Sequence, residues 1–415
     1  MKFFINSYFG DNQSIGLLSH IKKRLPYGMD DQWMVFSHYT ERGWTVDNLW
    51  HIFTDFYGGQ YAPLAFLSYL VLYAGFGYDP FYFHMFSLLL HIGCVCLVWK
   101  LISSLLRVHG GVSEKQILYV NFITTLLFAV HPINVEAVAW ISALKVLLYA
   151  FFYLLGLLCY LRYIRTSKIF YYVLTIGCFL CSFWGKEQAV TFPLALLIVD
   201  WFTNRNMKNL EVWSEKMSFL IMAFFFGIIT VLSQGKGPYE MIFPLYQRLL
   251  FGCFALVEYI TKSLLPVNLN FFYPFPIVLG EEPPLHYYLY PVVLLFLMGW
   301  IIAYRNNRYL VFGVLLFLVN LLFSIHLFNM SRHAIVADRY MYLSYVGIAF
   351  LIANGIWWLR KRLSYFKAAL VFLFFYCFFL SVYTFHYTKK WENITMVKKY
   401  TKEVLEKRLN GSNHL

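Results

Sequence analysis

Apolar residues run in long blocks along the chain, broken by short polar stretches, and no strand-like alternation of apolar and polar positions is sustained. Blocks long enough to predict membrane crossings lie at 82-106, 117-132, 146-163, 169-184, 188-203, 217-233, 288-304, 309-326, 340-359 and 366-386. Two further apolar segments read differently. Segment 61-77 is short, carries Pro63 and has polar flanks, which predicts an interfacial helix, although Lys22, Lys23 and Arg24 ahead of it favour a crossing. Segment 248-265 contains Glu258 and Lys262, and a crossing there would place later basic loops on the wrong side, so it is expected to be re-entrant or interfacial. The pattern predicts an all-α polytopic membrane protein, a bundle of roughly 10-11 transmembrane helices with outer-face loops and interfacial helices.

The connections alternate in charge. Arg162, Arg165 and Lys168, then Arg305 and Arg308, then Arg360, Lys361 and Arg362 fall in one set, which marks that set as cytoplasmic. The opposite set carries Asp30, Asp31, His84, His131, Glu136, Lys186, Glu187, Arg332, His333, Asp338 and Arg339, so the candidate chemistry collects on the outer side. The expected organisation is an N-terminal segment and first outer loop with interfacial helices at 1-80, the bundle at 81-388, and a short polar basic tail at 389-415.

Composition agrees with this reading. The 415 residues are 60% hydrophobic, 21% aromatic and 13% charged, with mean hydropathy +0.58. No soluble core needs that much Phe, Leu and Tyr, and the lipid bilayer is the expected surrounding. The net charge of +13 would suggest nucleic acid in a soluble protein; here it sits in short loops between apolar blocks, and no nucleic acid partner is expected. All 7 cysteines lie inside apolar blocks, which predicts buried thiols rather than a zinc site or disulfides. Residues 1-26 lack the apolar core of a cleavable signal peptide. No Gly-rich phosphate loop, Ser-His-Asp pattern or H-E-x-x-H occurs.

Charge at a membrane rim is costly, so each instance is a candidate for function. In Y-G-M-D-D-Q-W the adjacent carboxylates of Asp30 and Asp31 suit a base; a turn or helix cap is the plainer alternative. Trp33 beside them suits sugar stacking or an interfacial belt. In H-P-I-N-V-E-A-V-A-W, Pro132 ends a crossing and a short helix follows, on which Glu136 and Trp140 share a face. G-K-E-Q places Lys186 and Glu187 at the membrane edge, where a snorkelling lysine is the alternative. In S-R-H-A-I-V-A-D-R-Y, Arg332 and Arg339 suit a phosphate because a guanidinium binds two oxygens at once; an Asp338–Arg339 surface pair is the alternative. His84 and His91, seven residues apart on one helix face, read as polar packing residues.

The ordered series Y-G-M-D-D, W-T-V-D-N-L-W-H-I-F, F-G-Y-D-P-F-Y-F-H, F-A-V-H-P-I-N-V-E-A-V-A-W-I-S, G-K-E-Q-A-V-T-F-P with I-V-D-W, and A-D-R-Y-M-Y-L resembles the transmembrane and tetratricopeptide-repeat O-mannosyltransferases and their bacterial relatives, which are GT-C glycosyltransferases. The resemblance spans roughly residues 27 to 395. It implies a GT-C-like bundle that takes a sugar, mannose or a similar hexose, from a polyprenyl-phosphate donor and places it on a hydroxyl of a protein or glycan acceptor outside the cytoplasm. On that basis the expected catalytic residues are Asp30, Asp31 and Glu136. Arg339, Arg332, Lys186 and His131 are expected to bind the donor phosphate, and Trp33, Trp140, Glu187 and His84 to contact acceptor or sugar. No cofactor is required, although Asp30 and Asp31 could hold a divalent cation, Mg or Mn.

The chain departs from the family's pattern in four places. The usual first crossing is missing; Leu144-Lys145-Val146 stands where relatives tend to have Arg-Lys-Asp or Arg-Lys-Asn; no repeats follow T-K-K-W-E-N; and the basic tail would lie outside. The missing repeats and compact loops suggest a bacterial inner membrane, with the endoplasmic reticulum membrane as the eukaryotic equivalent. Two other classes stay open: a transporter or flippase of lipid-linked saccharide, which would need charge or broken helices near the midplane, and a non-catalytic GT-C relative, for which Leu144 and Val146 argue.

Overall fold

The computed structural model describes residues 30–234, 243–327, 334–392 and 395–403. Among them the elements are helical: α1 (Val46–Thr54), α2 (Pro63–Phe76), α3 (Pro80–His109), α4 (Glu114–Val130), α5 (Val135–Ala139), α6 (Leu144–Thr166), α7 (Ile169–Gly185), α8 (Phe192–Phe202), α9 (Leu210–Gln234), α10 (Leu245–Leu264), α11 (Leu289–Ala303), α12 (Arg308–Leu321), α13 (Met341–Trp358) and α14 (Leu363–Lys389). Single-turn helices and two isolated β-bridges join them. Among the described residues six helices are long and apolar enough to cross a membrane, and a seventh span results if α4 and the bent segment Pro132–Ala139 are counted together. The chain is therefore an all-α, multi-pass membrane protein. The apolar blocks at 169-184, 188-203 and 309-326 fold as shorter helices of 17, 11 and 14 residues. Lys22, Lys23, Arg24, Arg332, His333 and the tail beyond residue 403 lie outside the described residues.

Local chemistry sets the ends of these helices. Asp79 accepts from the backbone N–H of Phe81 at 3.1 Å and Pro80 fills the first helical position, so α3 starts there. It stops at Gly110, whose φ of 79° suits a residue without Cβ. Helix α4 stops because Pro132 cannot continue it; His131 Nδ1 instead accepts from Ile133 N–H at 3.2 Å, and the chain turns by 50° into α5. Helix α7 ends at Gly185, where a Cβ would stand 2.8 Å from the backbone nitrogen of Tyr149. That contact lets the chain turn sharply into Lys186.

Segment 63–76 is an interfacial-length helix whose Ala65, Phe66, Tyr69 and Leu70 pack inward, and Tyr69 donates to the Ile141 carbonyl at 2.9 Å. Segment 245–264 is one continuous helix rather than a re-entrant turn, and its Lys262 is buried. The main core lies between α3, α4, α6, α8, α12 and α13, and a second cluster packs α2 and the residues after Asp31 onto the head of α6. At the end of the bundle away from Asp31, Asp200, Glu215, Arg205 and Lys216 form a buried charge cluster: Arg205 lies 3.2 Å from Asp200 and 2.6 Å from Glu215, and Lys216 pairs with both carboxylates. Arg205 and Lys216 thus tie α8 to α9.

Helices α12 and α13 approach most closely at two glycines. A Cβ on Gly347 would meet the Gly313 carbonyl at 2.5 Å and Phe317 N at 2.7 Å, whereas nothing lies within 4 Å of one on Gly355. Gly347→Leu is expected to lower the unfolding temperature in detergent, with a cost of about 1–3 kcal/mol or more from overpacking. Gly355→Ala, in the same helix, should leave it unchanged or raise it.

Candidate functional site

Four segments distant in sequence meet at one end of the bundle. Asp31 opens a short helix, Asp31–Met34, whose cap is Asp30. Its carboxylate is 2% exposed and accepts from Ser142 N–H at 3.0 Å, from the Ser142 hydroxyl, and from the Trp140 indole Nε1–H at 3.2 Å. Burial pushes its pKa up to about 7, against the pull of the Ser142 and Trp140 hydrogen bonds, and neighbouring Asp30 adds to the rise.

The turn at Pro132 directs α5 so that Glu136 points inward, where it is fully buried. Arg339 meets it twice: its backbone N–H donates to Oε2 at 2.7 Å and its Nη1 to Oε1 at 2.5 Å. The same guanidinium stands 5.2 Å from the ring centres of Trp140 and Tyr340. Trp140 thus joins the two halves, donating to Asp31 at its edge and facing Arg339 with its ring. Asp338 turns the other way, accepting from Tyr273 OH at 3.0 Å and lying 3.5 Å from Lys262 of α10. Asp338 and Arg339 are therefore no surface pair; each is buried against a different partner.

Lys186 follows the turn at Gly185 and places Nζ 4.7 Å from the Tyr340 ring centre. Burial lowers its pKa to about 8; Glu187 and Tyr340 oppose that shift, and Lys145 and Arg339 add to it. Lys145, in the first turn of α6, donates to Gln60 Oε1 at 2.6 Å and stands 5.9 Å from the Trp33 ring centre. Trp33 is itself fixed against Gly58, where any Cβ would come within 2.5 Å of the indole. Leu144 and Val146, the apolar replacements noted above, pack into the core on either side of Lys145.

Asp31, Trp33, Glu136, Trp140, Lys186 and Arg339 thus lie together, with Asp30 and Glu187 next to them in sequence. His131 and His84 do not join them. His131 is buried at the corner before α5, its ring 4.2 Å from that of Tyr345, and His84 opens onto a separate groove of about 840 Å³ between α3, α5 and α14. Arg332 lies outside the described residues. Sequence reasoning missed Ser142, Tyr340 and Lys145 as site residues. For Lys145 a signal existed: a lysine between two apolar residues at the head of a hydrophobic helix has no packing reason to be there.

A divalent cation fits poorly. Oδ1 of Asp31 is taken up by two hydrogen bonds from Ser142, and among the described residues no three His, Cys, Asp or Glu side chains converge as ligands.

Comparison with known proteins agrees with the motif series. The chain is 32% identical over 189 residues to protein O-mannosyl-transferase TMTC2 of Mus musculus, covering 41% of this chain and 21% of the relative. It is 30% identical over 203 residues to protein O-mannosyl-transferase tmtc2 of Xenopus laevis, covering 45% and 23%. It is 28% identical over 172 residues to protein O-mannosyl-transferase Tmtc3 of Drosophila melanogaster, covering 37% and 18%. The chain thus resembles the transmembrane and tetratricopeptide-repeat O-mannosyltransferases, and it spans about a fifth of the length of the curated relatives it matches. No family profile matches the chain. No solved structure matches it.

The raised pKa of Asp31 has a stability consequence. A carboxyl held at about 7 when folded, against an ordinary 3.8, favours the folded state fully below about pH 4, and that contribution is lost as pH rises through about 7. Unfolding temperature measured against pH should therefore fall over this window in the wild type relative to Asp31→Asn. Parallel curves would show that Asp31 does not titrate as a buried acid.

Proposed function

We propose that this protein transfers a hexose, mannose or a close relative, from a polyprenyl-phosphate donor to a hydroxyl on a protein acceptor, at the extracytoplasmic face. The observation that carries the proposal is a buried carboxylate with a pKa near 7, Asp31, linked through one indole to a guanidinium and set in the same site as two further cations. Similarity to proteins named O-mannosyl-transferases supports the reaction class.

The chemistry is a single displacement. The acceptor hydroxyl gives its proton to Asp31 as its oxygen attacks the anomeric carbon, and the bond from that carbon to the phosphate oxygen breaks. Attack opposite the leaving group inverts the anomeric centre. Ser142 occupies Oδ1 of Asp31 with two hydrogen bonds, whereas among the described residues Oδ2 accepts only from Trp140, which leaves it a lone pair for the substrate proton. Asp30 is more exposed than Asp31 and outside this hydrogen-bonded frame, so Asp31 is assigned the base. The leaving polyprenyl phosphate is a stable anion that needs charge rather than a proton, and Arg339 and Lys186 supply it. Glu136 has both oxygens engaged by Arg339 and acts by positioning that guanidinium, not as a base. Trp33, half-buried, offers a ring face for the sugar, whereas Trp140 is buried with its ring against Arg339 and serves to position that guanidinium.

Purified protein in nanodiscs, given polyprenyl-phosphate mannose and a Ser/Thr peptide, is expected to transfer with a rate that rises with pH through about 7. Asp31→Asn should lower turnover by about 10²–10⁴-fold and remove that pH limb. Unchanged transfer by an Asp30→Asn/Asp31→Asn double variant would refute the assignment.

A further inference from the structure

The described residues include buried lysines of two kinds. Lys216 pairs with Asp200 and Glu215, and Lys262 lies 3.5 Å from Asp338. Lys145 and Lys186 are 6% and 3% exposed, yet among the described residues no carboxylate oxygen lies within ion-pair distance of either ammonium. Lys145 has a neutral amide and an indole face, and Lys186 has a phenol ring. Arg339, the third cation here, already has its charge matched by Glu136. Burying an ammonium without a counter-charge is costly, and aromatic faces return only part of that cost. Lysine is almost never so buried unless it is paired.

We infer that Lys145 and Lys186 together form a phosphate-ester subsite, and that the phosphate of the lipid donor is the counter-charge both lack. The inference rests on the transferase reading of the site and makes Lys145, not His131, the partner of Lys186. The two lysines enter from different elements, Lys145 on α6 and Lys186 after α7, and the Gly185–Tyr149 backbone contact fixes those elements together. Lys186 shares the Tyr340 ring with Arg339, and Arg339 shares the Trp140 ring with the Asp31 frame, so the subsite adjoins the carboxylate that takes the acceptor proton. Burial lowers Lys186 to about 8, with repulsion from Lys145 and Arg339 adding to it, and a bound anion opposes both effects. A neutral sugar hydroxyl cannot do this. A phosphate diester carries one delocalised charge on two free oxygens, one for each point-like ammonium. Gln60 holds Lys145 by a single hydrogen bond and orients its charge without cancelling it.

The test is binding, read separately from transfer. Wild type, Lys145→Gln, Lys186→Gln, the double variant, Lys145→Arg and Asp31→Asn are placed in phosphatidylcholine nanodiscs. They are titrated with polyprenyl monophosphate, polyprenol and inorganic phosphate, with thermal stabilisation and calorimetry as readouts. Polyprenyl monophosphate should stabilise the wild type and polyprenol should not. Each Lys→Gln change should weaken binding by about tenfold or more, the double variant should abolish it, and Lys145→Arg should keep most of it. Asp31→Asn should bind like the wild type. Without ligand the double Lys→Gln variant should unfold at no lower temperature than the wild type, because it removes two unmatched buried charges; a lysine pair that merely holds the fold would give the opposite. Wild-type affinity in the double variant overturns the inference, whatever the transfer assay shows. Lysine-dependent binding of inorganic phosphate as tight as that of the lipid would overturn its assignment to the donor. Lysine-dependent lipid binding together with unimpaired transfer by the double Asp→Asn variant would keep the subsite and reject the base.

Discussion

The buried ion pair of Glu136 and Arg339 joins residues 203 positions apart and holds the site end of the bundle together. Neither charge can be buried alone, since an unpaired partner would cost several kcal/mol, so the backbone on both sides must deliver the two groups to one point. On one side Pro132 ends α4 and His131 caps the next turn, which swings α5 inward. On the other, Asp338 is held by Lys262 and Tyr273, which fixes the residue before Arg339 against α10. The pair also orders what surrounds it. Trp140 lies between Arg339 and Asp31, so the guanidinium, the indole and the carboxylate take their positions from one another.

The charged groups fall into two classes with different physical meanings. The cluster of Asp200, Arg205, Glu215 and Lys216 is closed: each charge meets an opposite one, and its work is to fasten α8 to α9. At the other end the matching is incomplete. Arg339 and Lys262 have carboxylate partners, whereas Lys145 and Lys186 have none among the described residues, and Asp31, held by neutral donors, is kept by burial at a high proton affinity. A site left short of negative charge and provided with a carboxyl near neutrality is arranged for an anionic substrate and a proton transfer.

Much of this was legible in the sequence because it follows from patterns of one element at a time. Long apolar blocks gave the helices, Pro132 marked the break after α4, and Asp31, Glu136, Lys186 and Arg339 stood out as charge where charge is expensive. Pairing was harder to read. Asp338 and Arg339 are adjacent and looked like partners, but the turn Asp338–Tyr340 sends them to opposite sides. Lys262 looked interfacial because helix periodicity says nothing about which neighbour covers a face. Ser142 offers no charge to notice, and its role depends on the strandless turn Ile141–Ala143 that only tertiary packing sets. The two histidines failed for a related reason: His131 shapes a corner and His84 faces a groove beyond α5.

Because the Glu136–Arg339 pair organises the site, a double-mutant cycle is the most direct probe. Unfolding is measured for Glu136→Gln, Arg339→Gln and the combined variant in one detergent. Each single change should cost about 3–5 kcal/mol by stranding a buried charge, and the double variant should cost clearly less than their sum. Additive losses would mean that the two groups do not depend on each other, and that the site is held together by something else.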